Sequence, residues 1–101
     1  MDDRSAEQMA RGDRAKVLLE DPMIATALAD MRATLRTAWE SSPARDIEGR
    51  EELYRYMRTI ENFESCLRRH METGEIARHH MRVEEERKSI MARAMEKVGI
   101  R

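Results

Sequence analysis

At 101 residues the chain is long enough for one domain at most, and a domain of this size buries only a modest fraction of its surface. Charged residues make up 39% of the chain and nearly balance, 19 basic against 20 acidic, which argues against a general attraction to nucleic acid or to an anionic membrane. A single cysteine excludes an internal disulfide and fits a reducing compartment, and no apolar run approaches the roughly 20 residues of a membrane span.

The N-terminal segment, residues 1–13, is polar and contains Gly12-Asp13 as a helix breaker, so we predict a flexible polar arm that is frayed or loosely helical. It lacks the apolar stretch of a signal peptide, and we expect none. Residues 14–20 follow with three adjacent apolar side chains and predict one or two amphipathic helical turns.

The first long helix is predicted at about residues 22–41. Asp21-Pro22 is a favourable start, because Asp caps free N–H groups and Pro is preferred at the first helical position. Ser41-Ser42-Pro43 ends the helix, because the residue before a proline is driven out of helical geometry. Steps of 4 and 3 put its apolar residues on one face: Ile24, Leu28, Met31, Leu35 and Ala38.

The second long helix is predicted at about residues 46–73, with Asp46 as its N-terminal cap and Gly74 as its C-terminal stop. Two long helices joined by a short turn predict an all-α fold: a long antiparallel helical hairpin over residues 14–78, with a short N-terminal helical arm. The stripe of the second helix again steps by 4 and 3: Leu53, Met57, Ile60, Glu64, Leu67 and Met71.

Residues 79–101 are predicted to form a C-terminal helical extension. It either continues the second helix past a kink at Gly74 or stands away from the hairpin. Two of the seven members of its stripe are polar, which predicts a poor core seam: Ile76, His80, Val83, Arg87, Ile90, Ala94 and Val98.

Glu64 interrupts the apolar stripe of the second helix, and a buried carboxylate is costly unless it is paired. One interpretation is that it sets the register against an arginine of the other helix, with Arg32 and Arg36 as candidates. The other interpretation, which we favour slightly, is that the true seam leaves Glu64 at its rim and runs through Tyr56, Ile60, Phe63 and Leu67.

Candidate metal ligands are few. Cys66 and His70 have a spacing usable for zinc, but zinc needs three or four ligands and the chain has no second cysteine, so a buried thiol beside a boundary histidine is favoured. Glu72, Glu75 and His79 imitate one arm of a di-iron site, but the Glu-x-x-His spacing of such sites is missing.

The pair His79-His80 is either a pH-sensitive switch or a solvated helix face. The chain has no Ser–His–acid grouping in a turn and no glycine-rich phosphate loop. We therefore predict no enzymatic activity, no cofactor and no metal. A metal-dependent helical bundle is the least favoured function.

Between Arg14 and Arg78 the chain contains four distinctive segments. Residues 15–22 read Ala-Lys-Val-Leu-Leu-Glu-Asp-Pro, residues 38–39 read Ala-Trp, residues 42–51 read Ser-Pro-Ala-Arg-Asp-Ile-Glu-Gly-Arg-Glu, and residues 71–77 read Met-Glu-Thr-Gly-Glu-Ile-Ala. In these segments the chain resembles a group of small helical proteins encoded by tailed bacteriophages and prophages. The resemblance implies a phage origin and a role in virion structure or assembly, and it brings no catalytic residues with it.

The leading hypothesis is a non-enzymatic phage protein that binds itself or a larger phage structural protein through helix–helix contacts. Twelve alanines and nine methionines make the apolar stripes thin, so part of the core is expected from another chain. We expect the bacterial host cytoplasm or the virion as its location, and no membrane. The predicted contact residues are Ile24, Leu28, Met31, Leu35, Leu53, Met57, Ile60, Phe63, Leu67 and Met71.

The alternative hypothesis is an accessory protein of genome packaging that binds nucleic acid through its C-terminal segment. Residues 74–101 carry seven basic and five acidic side chains, and phosphate contacts would make the binding salt-dependent. The candidate phosphate contacts are Arg78, Arg82, Arg87, Lys88, Arg93, Lys97 and Arg101.

Overall fold

The computed structural model describes residues 3–99, which form three helices and no β-strand. Helix α1 spans Asp3–Glu20, α2 spans Pro22–Ser41 and α3 spans Ile47–Lys97. The all-α class predicted from the sequence is confirmed. None of the helices in this part of the chain is both long and apolar enough to cross a membrane.

Helix α2 begins and ends where the sequence predicts. The Asp21 carboxylate accepts hydrogen bonds from the backbone N–H groups of Met23, at 2.7 Å, and Ile24, at 3.4 Å. At the other end the Ser42 hydroxyl donates to the Trp39 carbonyl at 2.6 Å. Both ends are therefore satisfied by side chains next to the helix in sequence.

Helix α1 corrects the prediction of a helix break at Gly12-Asp13 within the N-terminal arm. The chain is helical from Asp3 onward and Gly12 does not break the helix, whereas residues 1 and 2 lie outside the described part. Gly12 and Ala15 are buried, with Gly12 against α3. The segment is helical because a second helix covers its small residues, and this contact is invisible to local sequence patterns.

Helix α3 corrects the predicted stop at Gly74, because it runs for 51 residues without interruption. It begins at Ile47, where the Asp46 carboxylate accepts the Gly49 N–H at 3.1 Å as predicted. Among the described glycines only Gly99, with φ of 76°, has the left-handed conformation that ends helices. The predicted extension 79–101 therefore continues α3 as far as Lys97, and residues 100 and 101 lie outside the described part.

Both α1 and α2 lie against α3. Asp13 of α1 pairs with Arg78, and Arg32 of α2 pairs with Glu64. The α3 residue paired with α2 thus lies closer to the N-terminus of α3 than the α3 residue paired with α1. The only residue between α1 and α2 is Asp21, whose backbone N–H bonds the Leu18 carbonyl at 3.2 Å.

The molecule is long and thin, with extents of 81 × 25 × 19 Å. Its radius of gyration is 23.1 Å, whereas a compact domain of about 100 residues has about 13 Å. Within residues 3–99 the buried hydrophobic residues are Ala15, Ile60 and Ala77. Two layers of helix leave the outer faces uncovered, so the core is a narrow seam.

Candidate functional site

The seam between α1 and α3 is built on two facing glycines, here called the glycine crossing. A Cβ atom on Gly12 would lie 2.8 Å from the His70 carbonyl oxygen and 2.9 Å from the Gly74 Cα. A Cβ on Gly74 would lie 2.9 Å from both the Gln8 carbonyl oxygen and the Gly12 Cα. The two backbones are therefore in contact, and neither position has room for a side chain.

An ion pair lies beside the glycine crossing. Arg78 Nη1 and Nη2 donate to the two carboxylate oxygens of Asp13 at 3.1 and 2.9 Å, a bidentate arrangement. These hydrogen bonds, with the charge of Arg78, lower the pKa of the Asp13 carboxyl, and in return the pKa of Arg78 is raised. Arg78, a predicted phosphate contact, is thus engaged within the chain.

Glu64 lies within the seam between α2 and α3, with only 19% of its side chain exposed. Its carboxylate accepts a hydrogen bond from Arg32 of α2 and another from Arg68 of α3 at 3.3 Å. The favoured interpretation, a rim position beside a seam through Tyr56 and Phe63, is wrong, because both aromatic residues are about half exposed. The pairing with Arg32 that the sequence offered as the other interpretation is the one observed.

The far end of α2 is joined to α3 through an aromatic contact. The Arg50 guanidinium carbon lies 3.8 Å above the Trp39 ring centre. Arg50 also donates to the Ser42 hydroxyl at 3.0 Å and to the Ser42 carbonyl at 3.4 Å. A cation–π contact of this kind contributes about 0.5–1 kcal/mol at an exposed site, so it adds modestly to the stability of the turn between α2 and α3.

The two sides of the α2–α3 seam differ in chemistry. On one side is a groove lined by Arg32, Arg36, Trp39, Met57 and Glu61, here called the charged flank. On the other side is a groove with one charged residue, here called the neutral flank; its lining residues are Asp30, Met31, Thr34, Leu35, Tyr56, Thr59 and Ile60.

The predicted contact residues divide between the seam and the surface. Ile60 is buried, with 4% of its surface exposed, whereas Met31 and Phe63 are about half exposed. The remaining members are half-buried: Ile24, Leu28, Leu35, Leu53, Met57, Leu67 and Met71. The steps of 4 and 3 thus identified the seam of α3 correctly. On α2 they placed Met31 in the seam, whereas the structure has the neighbouring residue Arg32 half-buried and Met31 exposed.

The residues considered as metal ligands are dispersed. Cys66 is an exposed free thiol rather than the buried one we favoured, and His70 is also exposed. The rings of His79 and His80 are 6.3 Å apart and tilted by 49°. Within residues 3–99 no group of three or more His, Cys, Asp or Glu side chains is placed to hold a metal ion.

The C-terminal part of α3 is exposed from Arg82 onward. Its apolar stripe is therefore no core seam, as predicted, and Val83, Ile90 and Val98 face solvent. Arg87 lies 3.8 Å from Glu84, and Arg101 lies outside the described part. The other predicted phosphate contacts in this segment are exposed: Arg82, Lys88, Arg93 and Lys97.

Sequence reasoning missed the residues of α1 that contact α3. Gly12, Ala15 and Leu19 step by 3 and 4, the same spacing that revealed the other seams. The signal was present but weak, because glycine and alanine also suit turns and exposed helix surfaces.

Comparison of the chain with protein-family models, with curated proteins and with solved structures found no match.

Proposed function

We propose that the chain is a non-enzymatic helical interaction protein, folded as a long antiparallel helical hairpin that binds other helices along its outer faces. The order of the cross-helix pairs supports the hairpin. Asp13 pairs with Arg78 and Arg32 with Glu64, so α1 and α2 run against the direction of α3.

The observation that carries the proposal is the mismatch between buried and exposed apolar residues. Ala15, Ile60 and Ala77 are the buried hydrophobic residues of the described part, whereas fourteen large hydrophobic residues are exposed. Isolated exposed apolar side chains are common, but their repetition at helical spacing along one molecule favours partner binding. The stable form of such a chain is expected to include a partner.

The nature of the partner follows from the resemblance to small helical phage proteins. A virion structural or assembly component, which binds itself or a larger phage structural protein, fits a rod of this length. The bacterial host cytoplasm and the virion are the corresponding locations.

Analytical ultracentrifugation of the purified chain tests the interaction function, with an expected shift from monomer to oligomer as concentration rises. Mass spectrometry of purified virions tests the phage role. A monomer that stays stable at all concentrations, combined with absence of the chain from virions, would contradict the proposal.

A second candidate, nucleic-acid binding in genome packaging, is favoured by one observation. Arg82, Lys88 and Arg93 are exposed and form no ion pair within residues 3–99. Replacement of all three by Gln should abolish retention of duplex DNA at low salt if they contact phosphates. Equal retention by the triple variant and the parent, or none by either, would remove this candidate.

A further inference from the structure

The neutral flank is continuous along both helices. On α2 the residues Ala27, Met31, Thr34 and Ala38 recur at steps of 4, 3 and 4 and so share one face. On α3 the corresponding uncharged row steps by 3, 4 and 3: Tyr56, Thr59, Phe63 and Cys66. Met31, Thr34, Tyr56 and Thr59 line the same groove, which places the two rows side by side.

The absence of charge from these eight positions contrasts with the rest of the chain, 39% of which is charged. The charged flank on the opposite side of the same seam carries Arg32, Arg36 and Glu61, with Glu64 and Arg68 nearby. Both flanks belong to the same two helices. The difference in charge between the two flanks therefore depends on which face of each helix is considered, and not on the overall composition of the helices.

We propose that the neutral flank is the docking surface for a second copy of this chain, giving a two-fold dimer in which two hairpins form a four-helix bundle. This inference rests on the proposed function and names its partner. Two hairpins that pack side by side are a common route to such bundles. The dimer buries Met31, Tyr56 and Phe63, which are each about half exposed in the single chain.

Charge favours a copy of the same chain as the occupant. In a two-fold interface the same patch of each copy faces the other, so charged residues near the axis meet their own kind. The neutral flank has one charged lining residue, Asp30, whereas the charged flank has three: Arg32, Arg36 and Glu61. A two-fold contact through the neutral flank therefore opposes fewer like charges.

Charged residues are present at the neutral flank on both helices. Asp30 of α2 lines the groove, and on α3 the neighbouring charged residues are Arg55, Arg69 and Glu52, whose carboxylate accepts a hydrogen bond from the Tyr56 hydroxyl at 2.8 Å. A two-fold axis that sets α2 of one copy against α3 of the other keeps the two copies of Asp30 apart and offers them arginines as partners.

Two tyrosines give a matched test, because Tyr54 and Tyr56 are 56% and 52% exposed on the same helix. Tyr56 lines the neutral flank, whereas Tyr54 lines a different groove with Trp39 and Arg50. Sedimentation equilibrium is measured on the wild-type chain, Tyr56→Lys and Tyr54→Lys. We expect Tyr56→Lys to weaken dimerisation by at least about tenfold, because it replaces an aromatic contact with a charged side chain at the interface, and Tyr54→Lys by less than about threefold.

The single cysteine supplies an independent readout on the unaltered protein. Cys66 is exposed in the single chain, and the dimer covers it. Its rate of reaction with a maleimide should fall as the protein concentration rises through the dimerisation range, and should stay constant in Tyr56→Lys. Phe63→Lys, with helicity checked by circular dichroism, replaces Tyr56→Lys if that variant does not fold.

The outcomes separate this proposal from the proposed function. If Tyr56→Lys and Tyr54→Lys weaken self-association equally, the neutral flank is not the interface. The same conclusion follows if the wild-type chain associates while the reactivity of Cys66 stays unchanged. Either result overturns this proposal and leaves the proposed function, an interaction protein, in place. A wild-type chain that stays monomeric also overturns this proposal. In that case detection of the chain in virions still supports the proposed function through a different partner.

Discussion

Glycine in the middle of a helix costs about 1 kcal/mol relative to alanine, yet α1 and α3 each have one where they cross. The contact of Gly12 with the His70 carbonyl and the Gly74 Cα explains both. Backbone atoms cannot rotate away as a side chain does, so any added carbon must push the helices apart.

Gly12→Ala is therefore expected to destabilise the protein, although an alanine normally strengthens a helix. The steric cost of overpacking, about 1–3 kcal/mol, outweighs the helix propensity gained, about 1 kcal/mol. Urea unfolding followed by circular dichroism measures the difference. Arg11→Ala, at the exposed neighbouring position, should be within about 0.5 kcal/mol of the parent, and a stabilised Gly12→Ala would contradict the close approach.

The ion pair of Asp13 with Arg78 predicts a pH dependence with a definite sign. The pKa of Asp13 is lowered in the folded chain, so the pair stabilises the fold above the unfolded pKa of about 4 and loses this effect as the pH falls through the folded value. Asp13→Asn should therefore be less stable than the parent at pH 7 and nearly equal to it at about pH 2. A difference that persists unchanged at acid pH would exclude the carboxylate as its cause.

At the scale of the elements, α2 is tied to α3 by one ion pair within an apolar seam. Removal of Arg32 leaves the Glu64 carboxylate in the seam with Arg68 as its remaining partner, which costs stability because the carboxylate is mostly withdrawn from solvent. A double-mutant cycle of Arg32→Ala and Glu64→Ala is expected to show a coupling energy of about 0.5–3 kcal/mol. The exposed pair of Arg58 and Glu61, with about 0.3–0.5 kcal/mol expected, is the control; equal coupling in the two pairs would contradict a special role for Glu64.

The ends of the helices were predictable from sequence only where local chemistry decides them. Asp21-Pro22 and Asp46 cap their helices with their own side chains, so sequence patterns locate both starts. Gly74 continues its helix because Gly12, 62 residues away in the sequence, packs against it. A contact between distant segments reverses the local preference of a glycine, and no window of neighbouring residues contains that information.

The candidate site divides in the same way. The stripe through Ile60 could be predicted because its period is that of a helix. The choice between the two interpretations of Glu64 could not be made, because it depends on where Arg32 of another helix lies. The contrast between the neutral and charged flanks likewise requires the two helices to be placed side by side.

At the scale of the whole molecule, the proposed association is expected to add to the stability of a chain whose own seam is thin. Since a partner binds the folded chain and not the unfolded chain, it raises the free energy of unfolding by mass action. The melting temperature of the wild-type protein should therefore rise with protein concentration, and that of Tyr56→Lys should not. Differential scanning calorimetry over a hundredfold range of concentration measures this, and a constant wild-type melting temperature would contradict it.

The break at Asp21-Pro22 separates α1 from α2, and the two helices are bound to α3 by different kinds of contact. The eighteen-residue α1 rests on glycine and alanine and on an exposed ion pair, whereas α2 has Ile60 and Glu64 beneath it. Such a chain is expected to open in stages, because α1 and α2 contact α3 through different residues. Hydrogen exchange of the backbone amides would then report two units of local stability, one for each of these helices. The break at Asp21-Pro22 thus separates the hairpin into parts that need not open together.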